Sequence, residues 1–194
     1  MLAIECGADA LGFNFFPGSK RYLDPQAESG WLSRLPEDVC KVALLVNPTW
    51  EEATRAAGLP FIDALQLHGD ESRDFCRRLA EEGIRFAKAL PVQEGQLPDA
   101  ANEYSTDSIL LDSKSARGFG GTGETFSWPL AAEFIARHPK LRVTLAGGLT
   151  PENVVTAVAQ ARPFGVDVTT SVENSPGHKD PARLRAFCAA VRAA

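Results

Sequence analysis

The stretch RVTLAGGLTPENVVTAVAQARPFGVDVT, residues Arg142 to Thr169, holds one complete structural unit. Arg142–Ala146 is a short run rich in β-branched and apolar residues, and Gly165–Thr169 is another. Between them stands a glycine pair, then Thr150-Pro151-Glu152, then a helical pattern. A capping residue followed by proline opens a helix cheaply, because the first helical N–H has no partner to lose. The unit therefore reads strand, loop, helix, strand.

Working outward, the same alternation fills the chain. Further candidate strands are Ala10–Phe16, Cys40–Val46, Ala64–His68, Arg85–Leu90 and Ser108–Asp112. They are short and often apolar at consecutive positions, as in strands covered on both faces. Asp24-Pro25 and Asp180-Pro181 repeat the cap-then-proline signal, and Thr49 with Glu52 spells a capping box. Gly7, Gly58 and Gly83 fall where helices should stop. Strict alternation leaves a doubly wound open sheet or a closed eightfold barrel, and the barrel is the better fit. Seven strands are visible, and MLAIECGAD at the start reads as the end of a helix. The expectation is an α/β fold: a (β/α)8 TIM barrel missing its first β-strand and part of its first helix, in one domain over residues 1–194.

Composition narrows the function. The chain is 44% hydrophobic and 23% charged with a formal net charge of −5, and its Lys and Arg residues are scattered, so no nucleic-acid footprint exists. No run approaches a membrane span, and no basic stretch precedes an apolar core, so a cytoplasmic protein is expected. Cys6, Cys40, Cys76 and Cys188 are far apart, which points to reduced thiols rather than disulfides or zinc. His68, His138 and His178 show no metal-ligand spacing, and no metal is expected.

In such barrels the chemistry sits at the C-terminal ends of the strands. Asp112 closes the run Ile109-Leu110-Leu111, where burial can raise a carboxyl pKa. An N-cap or loop-anchoring role is an equal alternative on spacing alone. His68, followed by Gly69, reads as either a site residue or a histidine with a structural hydrogen bond. Arg21, in the loop Pro17–Tyr22, is either a solvated cation or a clamp on a carboxylate or phosphate. Gly118–Gly123 formally matches G-x-G-x-x-G, but no helix opens at its end, and Glu124 stands where a nucleotide loop needs lysine. It reads as an active-site loop. Gly147-Gly148 and Thr170-Ser171 follow the last two strands, where these barrels hold phosphate on backbone N–H groups and hydroxyls.

Taken together, GADALGFNFFPGSKRYL (Gly7–Leu23), LQLHGDE (Leu65–Glu71), LLDS through TFSW (Leu110–Trp128), LAGGLTPENV (Leu145–Val154) and GVDVTTSVENSPGHKD (Gly165–Asp180) resemble phosphoribosylanthranilate isomerase. The pieces run the length of the chain in family order. The resemblance implies an Amadori rearrangement of N-(5-phosphoribosyl)anthranilate in tryptophan biosynthesis, without cofactor. It implies Asp112 as general acid, Arg21 at the anthranilate carboxylate, and Gly147, Gly148, Thr170 and Ser171 around the phosphate. His68 and Asp167 fall on site-lining positions. It further implies a cysteine base within a first strand, and Cys6 does not occupy that place. The alternative is therefore a sugar-phosphate-binding barrel that is impaired in catalysis. A histidine-pathway isomerase is a third reading, opposed by the GSKRYL loop and the setting of Asp112. Ser171 stands where the family commonly has glycine, so strain is expected there if the turn needs positive φ. The expected partner is a small phosphoribosyl substrate, with the chain a monomer or homodimer.

Overall fold

The computed structural model of the chain describes residues 1–92, 98, 101–113 and 127–194. The glycine loop read at residues 118–123 lies outside the described residues. Seven strands form one parallel sheet in sequence order: β1 (Ala10–Asn14), β2 (Cys40–Leu45), β3 (Ala64–Leu67), β4 (Phe86–Val92), β5 (Ser108–Ser113), β6 (Arg142–Leu145) and β7 (Gly165–Val166). Each of the seven candidate strands is present, with ends moved by a few residues. The largest change is β7, which was read as reaching Thr169. Its partner β6 ends at Leu145, and Gly147 and Gly148 then turn away with φ of 80° and 64°. The last ladder bond runs from the Asp167 N–H to the Leu145 carbonyl, 2.8 Å. Among the described residues β1 and β7 are the edges of the sheet, and no strand pairs the two.

Helices connect the strands: α1 (Leu2–Glu5), α2 (Ser29–Leu32), α3 (Trp50–Ala57), α4 (Arg73–Glu81), α5 (Trp128–Arg137), α6 (Val154–Ala161) and α7 (Pro181–Arg192). The capping box at Thr49 forms in both directions, with Glu52 N–H donating to the Thr49 hydroxyl and Thr49 N–H to the Glu52 carboxylate. Asp180 caps α7 by accepting from the N–H groups of Ala182 and Arg183. The cap of α6 is displaced. Thr150 accepts from Glu152 N–H in a turn, and the helix itself begins after Asn153. Asp24 likewise accepts from Gln26 and Ala27, but the α-helix that follows is the short α2.

The core has two bodies on the outer face of the sheet. One lies between β1–β4 and α2–α4, built on Leu32, Leu65, Leu67 and Leu79. The other lies between β4–β6 and α5–α7, built on Ile109, Leu111, Phe134 and Val143. Tyr104 packs against both. Inside the curl of the sheet a small third cluster joins Ala89, Leu110 and Ala146. Leu110 thus faces inward while Ile109 and Leu111 face the helices, as strand alternation requires. This explains why β5 is apolar at successive positions, and it sends Asp112, two residues beyond Leu110, to the inner face at the C-terminal end.

Candidate active site

At that inner face the Asp112 carboxylate meets His68, whose Nε2 lies 3.0 Å from Asp112 Oδ2. His68 follows β3 directly, and its own N–H continues the ladder to the Leu45 carbonyl at 2.9 Å. Gln66 shares the same strand face, and its Nε2 reaches His68 Nδ1 at 3.0 Å. With the Gln66 amide donating to Nδ1, the imidazole proton sits on Nε2 and is donated to Asp112. Asp112 is largely buried.

Gly147 presses against this pair. A Cβ built there would lie 2.1 Å from Ser113 Oγ, 2.6 Å from Asp112 Oδ1 and 2.6 Å from Ser113 N. With φ at 80°, both space and backbone conformation demand glycine at this position. Beside it, the Ser171 hydroxyl donates to the Leu149 carbonyl at 2.5 Å, which ties the loop after β7 to the loop after β6. Ser171 lies in a 3-10 turn, Thr170–Val172, and is not among the described residues with positive φ. The strain expected at Ser171 is therefore absent, and its side chain serves as a tie.

Asp167, just beyond the edge strand β7, is reached by solvent although protein surrounds it inside the curl. That enclosure raises its pKa, and the Asp112 carboxylate adds to the rise, while His68 and Lys179 oppose it.

The Arg21 guanidinium is committed to a partner the sequence reading did not name. Its Nε and Nη2 donate to Glu173 Oε2 at 2.9 and 2.6 Å, and Nη2 also reaches Thr170 Oγ1 at 3.3 Å. Lys179 Nζ donates to Glu173 Oε1 at 3.1 Å. Burial alone would raise the Glu173 carboxyl, but the bonds from Arg21 and Lys179 outweigh it and hold the group below the usual carboxylate range.

A fully buried ion pair underlies the His68 loop. Lys88 Nζ, on β4, donates to Glu71 Oε2 at 2.8 Å and to the Gly69 carbonyl at 2.7 Å. Glu71 also accepts from the N–H groups of Asn47 and Gly69. Asn47 in turn accepts from Asp70 N–H at 2.7 Å. The loops after β2 and β3 are thereby bolted to each other and to β4, and His68 stands at the start of the second loop.

The description of the phosphoribosylanthranilate isomerase family model, "N-(5'phosphoribosyl)anthranilate (PRA) isomerase", matches residues 1–190. The chain belongs to the phosphoribosylanthranilate isomerase family. It is 42% identical to the N-(5'-phosphoribosyl)anthranilate isomerase of Geotalea uraniireducens over 187 residues, covering 96% of this chain and 89% of the relative. The crystal structure of the Thermotoga maritima phosphoribosyl anthranilate isomerase superimposes with a TM-score of 0.88 at 37% identity, covering 100% of this chain and 92% of that one. A second isomerase structure, in complex with reduced 1-(o-carboxyphenylamino)-1-deoxyribulose 5-phosphate, matches with a TM-score of 0.85 at 35% identity.

Within this isomerase fold the structure gathers His68, Asp112, Gly147 and Asp167 at one mouth, with Thr170 and Ser171 on the adjoining loop. Arg21 joins them through Glu173. The residues missed at the sequence level are Gln66, Glu71, Lys88, Glu173 and Lys179. One of them carried a signal: Lys88 stands alone inside the apolar run of β4, and an unpaired lysine is almost never fully buried. Among the described residues no cluster of His, Cys, Asp and Glu could hold a metal ion, and no helix is long and apolar enough to cross a membrane.

Proposed function

We propose that this chain is a phosphoribosylanthranilate isomerase of tryptophan biosynthesis, acting in the cytoplasm as a monomer or homodimer. It would convert N-(5-phosphoribosyl)anthranilate to 1-(2-carboxyphenylamino)-1-deoxyribulose 5-phosphate. The observation that carries the reading is the Asp112–His68 pair set against the glycine turn at Gly147. An acid there stands beside a loop suited to phosphate.

In this reading Asp112 gives its proton to the ribose ring oxygen, the C1–oxygen bond breaks, and a Schiff base forms with the anthranilate nitrogen. A general base, a cysteine in what the resemblance implies, takes the C2 proton to give an enol, which becomes the ketone as C1 gains a proton and the C2 hydroxyl gives one up. When Asp112 has lost its proton, the Nε2–H of His68 donates to the resulting carboxylate, which eases the charge at the moment it develops. Backbone N–H groups at Gly147 and Gly148, with Thr170 and Ser171, hold the phosphate. Arg21 receives the anthranilate carboxylate, and Asp167 lines the site. The isomerisation needs no cofactor or metal.

A second reading is favoured by one observation. The resemblance calls for a cysteine base, yet Cys40 opens β2 at the far end of the sheet, Cys6 follows α1, and Cys76 and Cys188 lie in α4 and α7. None of the four stands at the mouth. On that reading the chain binds the sugar phosphate and turns it over poorly. Titration with the reduced product analogue, alongside an assay for loss of N-(5-phosphoribosyl)anthranilate, separates the two. Binding with enzymatic turnover supports the isomerase, binding without turnover supports the second reading, and no binding defeats both.

A further inference from the structure

Glu173 holds two cations on one carboxylate. Its side chain is 4% exposed, yet it accepts from Arg21 Nε and Nη2, from Lys179 Nζ and from Gly177 N–H. Arg21 remains 27% exposed, and among the described residues its Nη1 takes no hydrogen-bond partner. Two cations share this one anion, so the trio of Arg21, Glu173 and Lys179 by itself carries a net single positive charge. The segment is also continuous: the Thr170–Val172 turn runs straight into Glu173, and Thr170 itself accepts from Arg21. The stretch that would hold the phosphate therefore also holds the arginine.

We propose that Glu173 is a specificity-determining positioning residue, which fixes the Arg21 guanidinium in the pose that reads the carboxylate on the substrate's aromatic ring. The proposal rests on Arg21 receiving that carboxylate, as argued under the proposed function. A free arginine side chain has several rotatable bonds and loses that freedom on binding. Here the Nε–Nη2 edge of the fork is already locked by a two-point contact, so the remaining N–H donors are directed before a ligand arrives. The second cation, Lys179, also bonds to the Thr169 carbonyl at 3.3 Å and so binds this assembly to the loop after β7. The spacing between the two anion-reading ends of the site is thereby set by Glu173.

The test compares two ligands by calorimetry: reduced 1-(o-carboxyphenylamino)-1-deoxyribulose 5-phosphate, and its phenylamino analogue without the carboxylate. The unaltered chain should prefer the carboxylated ligand by roughly 10- to 100-fold, the range of a charge-assisted hydrogen bond. Glu173→Gln should lose most of that preference and still bind the analogue nearly as well as the unaltered chain. Equal losses for both ligands, or no loss for either, would overturn the proposal. If Glu173→Gln shows no cooperative melt, Glu173→Asp takes its place. That variant keeps the charge but shortens the reach, and should give an intermediate preference; an undiminished preference would overturn the proposal. Arg21→Ala should abolish the preference. If it weakens both ligands alike, the carboxylate reading of Arg21 fails and the proposal falls with it. If Arg21→Ala abolishes the preference while Glu173→Gln retains it, only the positioning role fails.

Discussion

Replacing Gly147 with alanine should damage stability and chemistry together, and the structure sets the size of the effect. A methyl group there would stand 2.1 Å from Ser113 Oγ and 2.6 Å from both Asp112 Oδ1 and the Ser113 nitrogen. The hydroxyl can rotate away, but the backbone nitrogen sits in β5 and cannot. The φ of 80° adds a left-handed cost of about 1–2 kcal/mol for an L residue. Overpacking against a strand adds a further ~1–3 kcal/mol. Gly83→Ala is the control, because Gly83 has φ of 70° and nothing within 4 Å of its built Cβ. It carries the backbone cost without the clash. Urea melts should show Gly147→Ala less stable than Gly83→Ala by ~1–3 kcal/mol. Since the clash pushes on Asp112, turnover should also fall by roughly 100-fold, the penalty for a misplacement of about 1 Å. Equal melts for the two variants, with activity intact in both, would refute the claim that Gly147 is fitted against Asp112.

Glu71→Gln or Lys88→Met alone should cost about 3–5 kcal/mol in urea melts, because each strands a buried charge, while the double change should cost less than the sum. Ser171→Ala should cost about 1 kcal/mol for the lost bond to the Leu149 carbonyl, and Ser171→Gly should bring no compensating relief, since φ there is not positive. The Glu173 carboxyl is held below its unfolded pKa, so the unfolded chain binds more protons in between. Its contribution to stability is complete above about pH 4.3, the ordinary glutamate value, and is lost as pH falls through the depressed folded pKa. Acid melts should therefore show a shallower loss in Glu173→Gln than in the unaltered chain; parallel curves would contradict the pairing. A crystal grown with phosphate should show the anion at Gly147–Gly148 and Thr170–Ser171, and an anion elsewhere would overturn the cradle.

What could be read in advance was local. Seven strands, the Thr49 capping box and the Asp180 cap depend on neighbours in sequence, and each appears. Asp112 was legible as the carboxylate that closes an apolar strand at its C-terminal end, but its face was not, because only the structure shows Leu110 turned inward. The contacts that organise the mouth are long-range and were not. Arg21 and Glu173 are 152 positions apart, and Lys88 on β4 meets Glu71 in the loop after β3. Nothing in the spacing of the chain forecasts either pair, though a lysine embedded in an apolar strand was a sign that a buried partner must exist. Ser171 shows the opposite failure. A rule about glycine in a turn predicted strain, and the turn adopted an ordinary 3-10 conformation in which a hydroxyl has work to do.

The account stands most directly on Asp112 as the proton donor at the mouth. Asp112→Asn preserves the shape of the side chain and can still accept from His68, but it has no acidic proton to give. The measurement is turnover of N-(5-phosphoribosyl)anthranilate together with the Kd for the reduced product analogue, in the unaltered chain and in Asp112→Asn. The account predicts turnover in the unaltered chain and a fall of about 10²–10⁴-fold in the variant, the usual worth of general acid–base catalysis, with Kd changed by less than about tenfold. Turnover in Asp112→Asn close to that of the unaltered chain would contradict it.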